Sequence, residues 1–188
     1  MKLYHASSLV IKQPDVYHSR EHLDFGKGFY LTSLFDQAHK YAMRFLLRKQ
    51  KAYINEYLLD DELSDFKIKI FQSYDEEWLD YVGKCRKGTQ DGLFDLVEGG
   101  IANDKVFNTI DLYFSGAMSK DDALGRLAFE HPNHQLCILN QEIINRHLHF
   151  ISVKEITTGG TDHDSRYNHT ANEICPNSPV ICRLPPFP

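Results

Sequence analysis

Apolar side chains follow two rhythms along this chain, every second residue in some stretches and every third or fourth in others. The alternation between the two predicts the elements. Residues 2–5 read as a short strand, with Leu3 and His5 on one face and Tyr4 on the other. A polar loop containing Pro14 follows, and Gly26 and Gly28 mark a tight turn into a second strand, Phe29 to Thr32. Ser33, with Asp36 three residues on, has the form of a capping box in which Asp stands for the usual Glu. Behind it Phe35, Ala38, Ala42, Phe45 and Leu46 recur at helical spacing, which predicts an amphipathic helix over 34–49.

Tyr53–Leu59 and Phe66–Phe71 alternate in the manner of strands. Asp75 opens a helix whose buried face is Trp78, Leu79, Val82 and Cys85. Phe94–Val97 reads as a short strand running into Gly99-Gly100, and 103–115 as a helix with Val106, Ile110 and Tyr113 inward. Ser119 and Asp122 repeat the cap pattern ahead of a helix carrying Ala123, Leu124, Leu127 and Ala128. Gln135–Leu139 and Leu148–Ile156 complete the series as strands. Strands and helices interleave without a regular βαβ rhythm, so the class is α+β rather than a parallel sheet. From residue 157 to 188 large apolar residues are few and Pro176, Pro179, Pro185 and Pro186 interrupt any pattern. The expected organisation is one domain over 1–156 and an extended or partly disordered tail over 157–188.

Composition narrows this further. With 188 residues, 42% hydrophobic and 25% charged, the chain is long enough for one well-cored globular domain. A net charge of −5 argues against a protein that coats nucleic acid, although Arg44, Arg48, Lys49 and Lys51 form a small basic cluster. No apolar run approaches the roughly 20 residues that span a bilayer. Cys85, Cys137, Cys175 and Cys182 are scattered rather than arranged as a disulfide framework, which suits a reduced, cytoplasmic protein. His163, His169, Cys175 and Cys182 are spaced too widely for a zinc site, whose ligands pair at closer intervals, and no metal is expected.

The candidate chemistry lies in a spaced set: His5 on the first strand, the Gly26-Lys27-Gly28-Phe29-Tyr30 turn, and Tyr41 on the helix behind it. Each has an ordinary structural use, His5 as a satisfied core histidine and the tyrosines as core aromatics with a bonded hydroxyl. Together, the run Asp24 to Thr32, with Ala38 and Tyr41 after it and Leu3-Tyr4-His5-Ala6-Ser7 before it, resembles the NAD⁺ site of the poly-ADP-ribose polymerase and diphtheria-toxin class. Residues 2–153 more closely resemble an uncharacterised bacterial family usually placed in the ADP-ribosyltransferase superfamily. That family shows segments like Phe94 to Asp104 and His134-Gln135-Leu136-Cys137-Ile138.

The resemblance implies two small antiparallel sheets with helices around them and NAD⁺, as co-substrate, in a cleft between. His5 would bond the adenosine ribose, and the backbone of Ala6 would read the nicotinamide carboxamide, although glycine is usual at that position. Tyr30 and Tyr41 would sandwich the nicotinamide, and Gly26 and Gly28 would let the backbone approach the ligand. Ala38 stands where a serine is common. Gln135 stands where the class has a glutamate, and an amide holds a ribose hydroxyl but takes no proton. Asp95 and Asp104 flank the Gly99-Gly100 turn as a substrate-side loop, or Asn103 or Asp104 caps the helix that begins there. The implied reaction is mono-ADP-ribosyl transfer to an unidentified protein, nucleic-acid or small-molecule acceptor, with toxin or phage-defence roles known in the superfamily. The alternative is a catalytically degenerate NAD⁺- or nucleotide-binding or interaction module.

Overall fold

The computed structural model describes residues 1–90, 92–101, 104–128 and 134–157. In chain order the elements are β1 (Lys2–Ser7), β2 (Phe29–Leu31), α1 (Phe35–Leu47), β3 (Ala52–Leu59), β4 (Ile68–Ile70) and α2 (Glu76–Lys87). There follow β5 (Leu96–Gly99), α3 (Asp104–Phe114), α4 (Lys120–Leu127), β6 (Gln135–Ile138), α5 (Gln141–His147) and β7 (Leu148–Ile156). The expected tail lies outside the described residues from 158 on. No described helix is long and apolar enough to cross a membrane.

Two small sheets organise these elements into an α+β fold. The first has the order β1-β3-β7 and is antiparallel throughout, with Leu3 opposite Tyr57 and Ile54 opposite Lys154. The second has the order β2-β6-β5-β4, antiparallel from β2 to β5 but parallel between β4 and β5. The expectation of purely antiparallel sheets is therefore corrected at one edge. The predicted strand Phe66–Phe71 also shrinks to three residues there, whose Ile68 and Ile70 side chains are exposed. Nothing on that edge demands a longer ladder.

Alternation along the strands sorts the core into layers. Leu3, Tyr57 and Leu59 from the first sheet meet Phe29, Leu31 and Ile138 from the second. On the far face of the second sheet Tyr30, Val97 and Cys137 pack against Trp78 and Leu79 of α2 and Ile110 of α3. Burying a side chain such as Trp78 or Ile110 completely stabilises the fold by about 2 kcal/mol. Ala38, Ala42 and Phe45 of α1 cover the outer face of the first sheet, over Ala52 and Ile54.

Helix caps follow the sequence in two cases and depart from it in one. Asp75 accepts from the Trp78 N–H at 2.9 Å, and Ser119 accepts from the Asp122 N–H at 3.1 Å, as predicted. Ser33 does not cap α1. The N-cap is Leu34, without a side-chain bond, because the Ser33 N–H and hydroxyl both turn to His134. The start of α1 is held instead by Gln37, whose Nε2 donates to the His134 carbonyl at 2.7 Å. The strand predicted at Phe94–Val97 is displaced to Leu96–Gly99, and α5 has no counterpart among the predicted elements.

Candidate functional site

β1 and β2 are joined by one bridge, in which Tyr4 and Thr32 each donate an N–H to the other's carbonyl, at 2.8 and 3.0 Å. Beyond it they diverge, and a cleft of about 990 Å³ opens, bounded by β1, β2, α1, α2, α3 and the start of β6. That volume lies at the upper end of what small-ligand sites use, roughly 300–1,000 Å³. His5, Ala6, Tyr30, Ala38, Tyr41 and Gln135 all line it. Residues 130 positions apart in the chain thus share one cavity.

His5 sits on the inward face of β1, stacked on Phe29 with centroids 4.6 Å apart. Its Nδ1 lies 2.7 Å from the Tyr30 carbonyl, which can only accept, so Nδ1 carries the hydrogen and Nε2 presents a bare lone pair. Burial pushes the imidazole pKa down to about 4, with the Tyr30 bond opposing. The ring is neutral at physiological pH. Its Nε2 is buried and has no hydrogen-bond partner among the described residues.

Gln135 opens β6 in the same condition, 6% exposed with its Nε2 unpartnered among the described residues. The β2–β6 register sets Tyr30 opposite Cys137, so Gln135, two residues earlier, lies on the face that carries Tyr30. Ala6 contributes backbone. Tyr4 gives both its main-chain groups to Thr32, and Ala6, two residues on, shares that orientation. Its N–H and carbonyl therefore point away from β3 and toward the cleft.

Tyr30 also closes the loop before it. Its hydroxyl donates to the Gly26 carbonyl at 2.6 Å and accepts from the Phe25 N–H at 3.1 Å. Gly26 and Gly28 do not line the cleft, and the space beside them is filled by protein. Gly26 has φ +86°, and a Cβ there would meet the Gln90 side chain. A Cβ on Gly28 would lie 2.4 Å from the Ile138 carbonyl. Close approach of β2 to β6, rather than approach of a ligand, accounts for Gly28.

Asp95 is likewise absent from the cleft wall. Its carboxylate accepts from the Lys67 N–H and the Asn140 amide, each at 2.8 Å, and so ties the β4 approach to the exit of β6. Asp104 begins α3, and its side chain and Asn103 lie outside the described residues.

Several lining residues were not among the residues expected at the site, although Arg44 belongs to the basic cluster seen in the sequence. Lys40 and Arg44 come from α1, and Arg86 and Lys87 from α2. Arg86 places Nε and Nη2 2.9 and 2.7 Å from one Asp24 oxygen and packs its guanidinium over the Phe107 ring. Arg44 stands over the Tyr41 ring at 5.3 Å. Ser33 lines the cleft with His134 behind it and Glu98 behind that. These three are distant in sequence, and only strand pairing brings them together. No group of His, Cys, Asp and Glu able to hold a metal occurs among the described residues.

A model for proteins of unknown function, DUF3990, matches residues 1–150. The chain belongs to the DUF3990 family. The match spans every described element except most of β7, so the cleft and all its lining residues fall inside the family's domain. No curated protein and no solved structure matches the chain.

Proposed function

We propose that this DUF3990 protein is a mono-ADP-ribosyltransferase that binds NAD⁺ in the cleft, breaks the nicotinamide–ribose bond and passes ADP-ribose to an acceptor. The observation that carries the reading is that two side chains lining one cavity, His5 and Gln135, each hold a buried polar atom without a partner among the described residues, the His5 Nε2 lone pair and the Gln135 amide. A buried polar group left unsatisfied costs roughly 1–3 kcal/mol. A ligand that donates to the first and accepts from the second recovers that cost. Hydroxyl groups do both, and NAD⁺ brings two riboses.

The other parts of the cleft suit the same ligand. The outward backbone of Ala6 matches a carboxamide, which needs one acceptor and one donor. The half-buried Tyr41 ring and the Tyr30 ring offer π-faces to the nicotinamide. Lys40 and Arg44 on one wall and Lys87 on the other supply positive charge for the diphosphate. Cleavage gives an oxocarbenium-like ribose and a neutral leaving group, so the site has to hold the ring and stabilise developing positive charge. The acceptor is a protein, nucleic acid or small molecule, and the scattered cysteines suit a cytoplasmic setting.

A second reading, a non-catalytic NAD⁺-binding module, is favoured by one observation. The amide of Gln135 brings neither negative charge nor a base to the ribose. The two readings part on substitution. Gln135→Ala is expected to weaken NAD⁺ binding through the lost amide bond and, at saturating NAD⁺, to cut nicotinamide release at least roughly tenfold further, the mark of an interaction that strengthens in the transition state. Gln135→Glu is expected to raise NAD⁺ hydrolysis without acceptor. If wild type and both variants bind NAD⁺ by calorimetry yet release no nicotinamide in buffer or lysate, the module reading stands.

A further inference from the structure

Three side chains that the binding of NAD⁺ leaves unused form a connected line at the wall of the same cleft. Ser33 Oγ lies 3.0 Å from His134 Nδ1, and His134 Nε2 lies 2.8 Å from Glu98 Oε1. The Ser33 backbone N–H also points at Nδ1, at 3.1 Å. An N–H can only donate, so Nδ1 is an acceptor and the neutral ring carries its hydrogen on Nε2, where the Glu98 carboxylate receives it. Each nitrogen of the ring is thus assigned by its own contact. The Ser33 hydroxyl and the Ser33 N–H share that one lone pair, so the hydroxyl's proton can pass to Nδ1 only as the N–H bond opens.

Strand pairing explains why residues so far apart meet. Leu31 pairs with Leu136 across β2 and β6, so Ser33, two residues later, falls opposite His134, two residues earlier. Glu98 on β5 pairs with the same Leu136. The line therefore crosses from β2 past β6 to β5 at one end of the sheet, on the face opposite the one that carries Gln135 and Tyr30. A structural use accounts for part of it, since the Ser33 N–H and the Gln37 amide both tie the start of α1 to His134. That use accounts neither for a carboxylate behind the imidazole nor for the Ser33 hydroxyl on the cleft wall.

We propose that Ser33, His134 and Glu98 are the proton relay that activates the acceptor, supplying the base that the amide of Gln135 cannot. The inference rests on the transferase reading. The acceptor's X–H passes its proton to Ser33 Oγ as the Ser33 proton moves to His134 Nδ1. The electron pair on X forms the bond to ribose C1. The C1–N bond breaks, and its pair leaves on the nicotinamide nitrogen, which becomes neutral. The imidazolium, held against Glu98, then returns one proton to water, and its side chain is 23% exposed, so water reaches it. Ser33 touches the acceptor, while His134 and Glu98 act through it. Acceptors served this way are those that must lose a proton, such as water, an alcohol or an amine, rather than a group already anionic at neutral pH.

The test measures nicotinamide release from NAD⁺, with water as acceptor and again in cell lysate, for the wild type, Ser33→Ala, Glu98→Gln and His134→Gly. Thermal unfolding and NAD⁺ calorimetry are run on each. Ser33→Ala and His134→Gly are expected to lose about 100-fold in turnover, and Glu98→Gln at least about tenfold, with NAD⁺ affinity within about threefold of wild type. In His134→Gly a series of substituted imidazoles should restore release, and the more basic ones should restore more. A clamp without a proton role would give rescue indifferent to basicity, or losses that follow affinity and unfolding temperature, and either result overturns the relay. So does wild-type turnover in Ser33→Ala, which leaves the transferase reading standing. Wild type that releases no nicotinamide in either medium removes both.

Discussion

His5 is where a single contact decides a tautomer and burial decides a charge state. The Tyr30 carbonyl takes the Nδ1 hydrogen, burial keeps the ring neutral, and the remaining lone pair is buried without a partner among the described residues. Because the folded pKa, about 4, lies below the ordinary 6.5, the unfolded chain binds the extra proton first as pH falls. Stability from this group is whole above about pH 6.5, declines between 6.5 and 4, and is flat below. The loss amounts to roughly 3 kcal/mol across that window. Urea unfolding at several pH values should show the decline in wild type and a shallower one in His5→Gln; equal slopes would mean His5 titrates normally in the fold. Tyr41 tests the other side of the cleft. Tyr41→Ala should weaken NAD⁺ binding by about 1–3 kcal/mol through lost aromatic burial, and equal affinities by calorimetry would remove Tyr41 from the site. His5, Tyr30, Tyr41 and Gln135 were singled out in the sequence through the family resemblance, and all four line the cleft. Ser33, His134 and Glu98 were not, since their only link is strand register.

Elements were legible where a periodic face or a side-chain cap speaks for itself. α2 and α4 carry both signals, with Asp75 and Ser119 bonded as their spacing predicts. α1 carries the periodic face without the cap, because the residue spaced to cap it is drawn to a strand that follows 100 residues later. α5 escaped notice because seven residues with only Ile143 and Ile144 buried show too little periodicity, although Asn140 does cap it. The parallel β4–β5 pair has no local signature at all. Gly28 is an element-scale residue in the same sense, since its missing Cβ lets β2 close on β6. Gly28→Ala would set a methyl 2.4 Å from the Ile138 carbonyl and 2.7 Å from Cys137 Sγ. The expected loss is about 1–3 kcal/mol of stability from overpacking, read as a lower denaturant midpoint at unchanged slope. An unchanged midpoint would show that β2 and β6 separate at little expense.

At the scale of the whole molecule, the cleft exists because two sheets meet at a single bridge and then part. Its lining comes from both sheets and three helices, all within residues 1–150. The last described strand residue, Ile156, is buried against α1. A chain ending at Ile156 should accordingly fold and bind NAD⁺ as the full chain does; loss of either on truncation would show that residues 157–188 belong to the domain. The central claim is that the cleft divides NAD⁺ at the nicotinamide–ribose bond. NAD⁺ labelled separately on the nicotinamide carbonyl and on the adenylate phosphate, incubated with the protein in cell lysate, tests it most directly. The account predicts that the nicotinamide label appears as free nicotinamide while the adenylate label becomes attached to an acceptor. Both labels remaining together in intact NAD⁺ would contradict it.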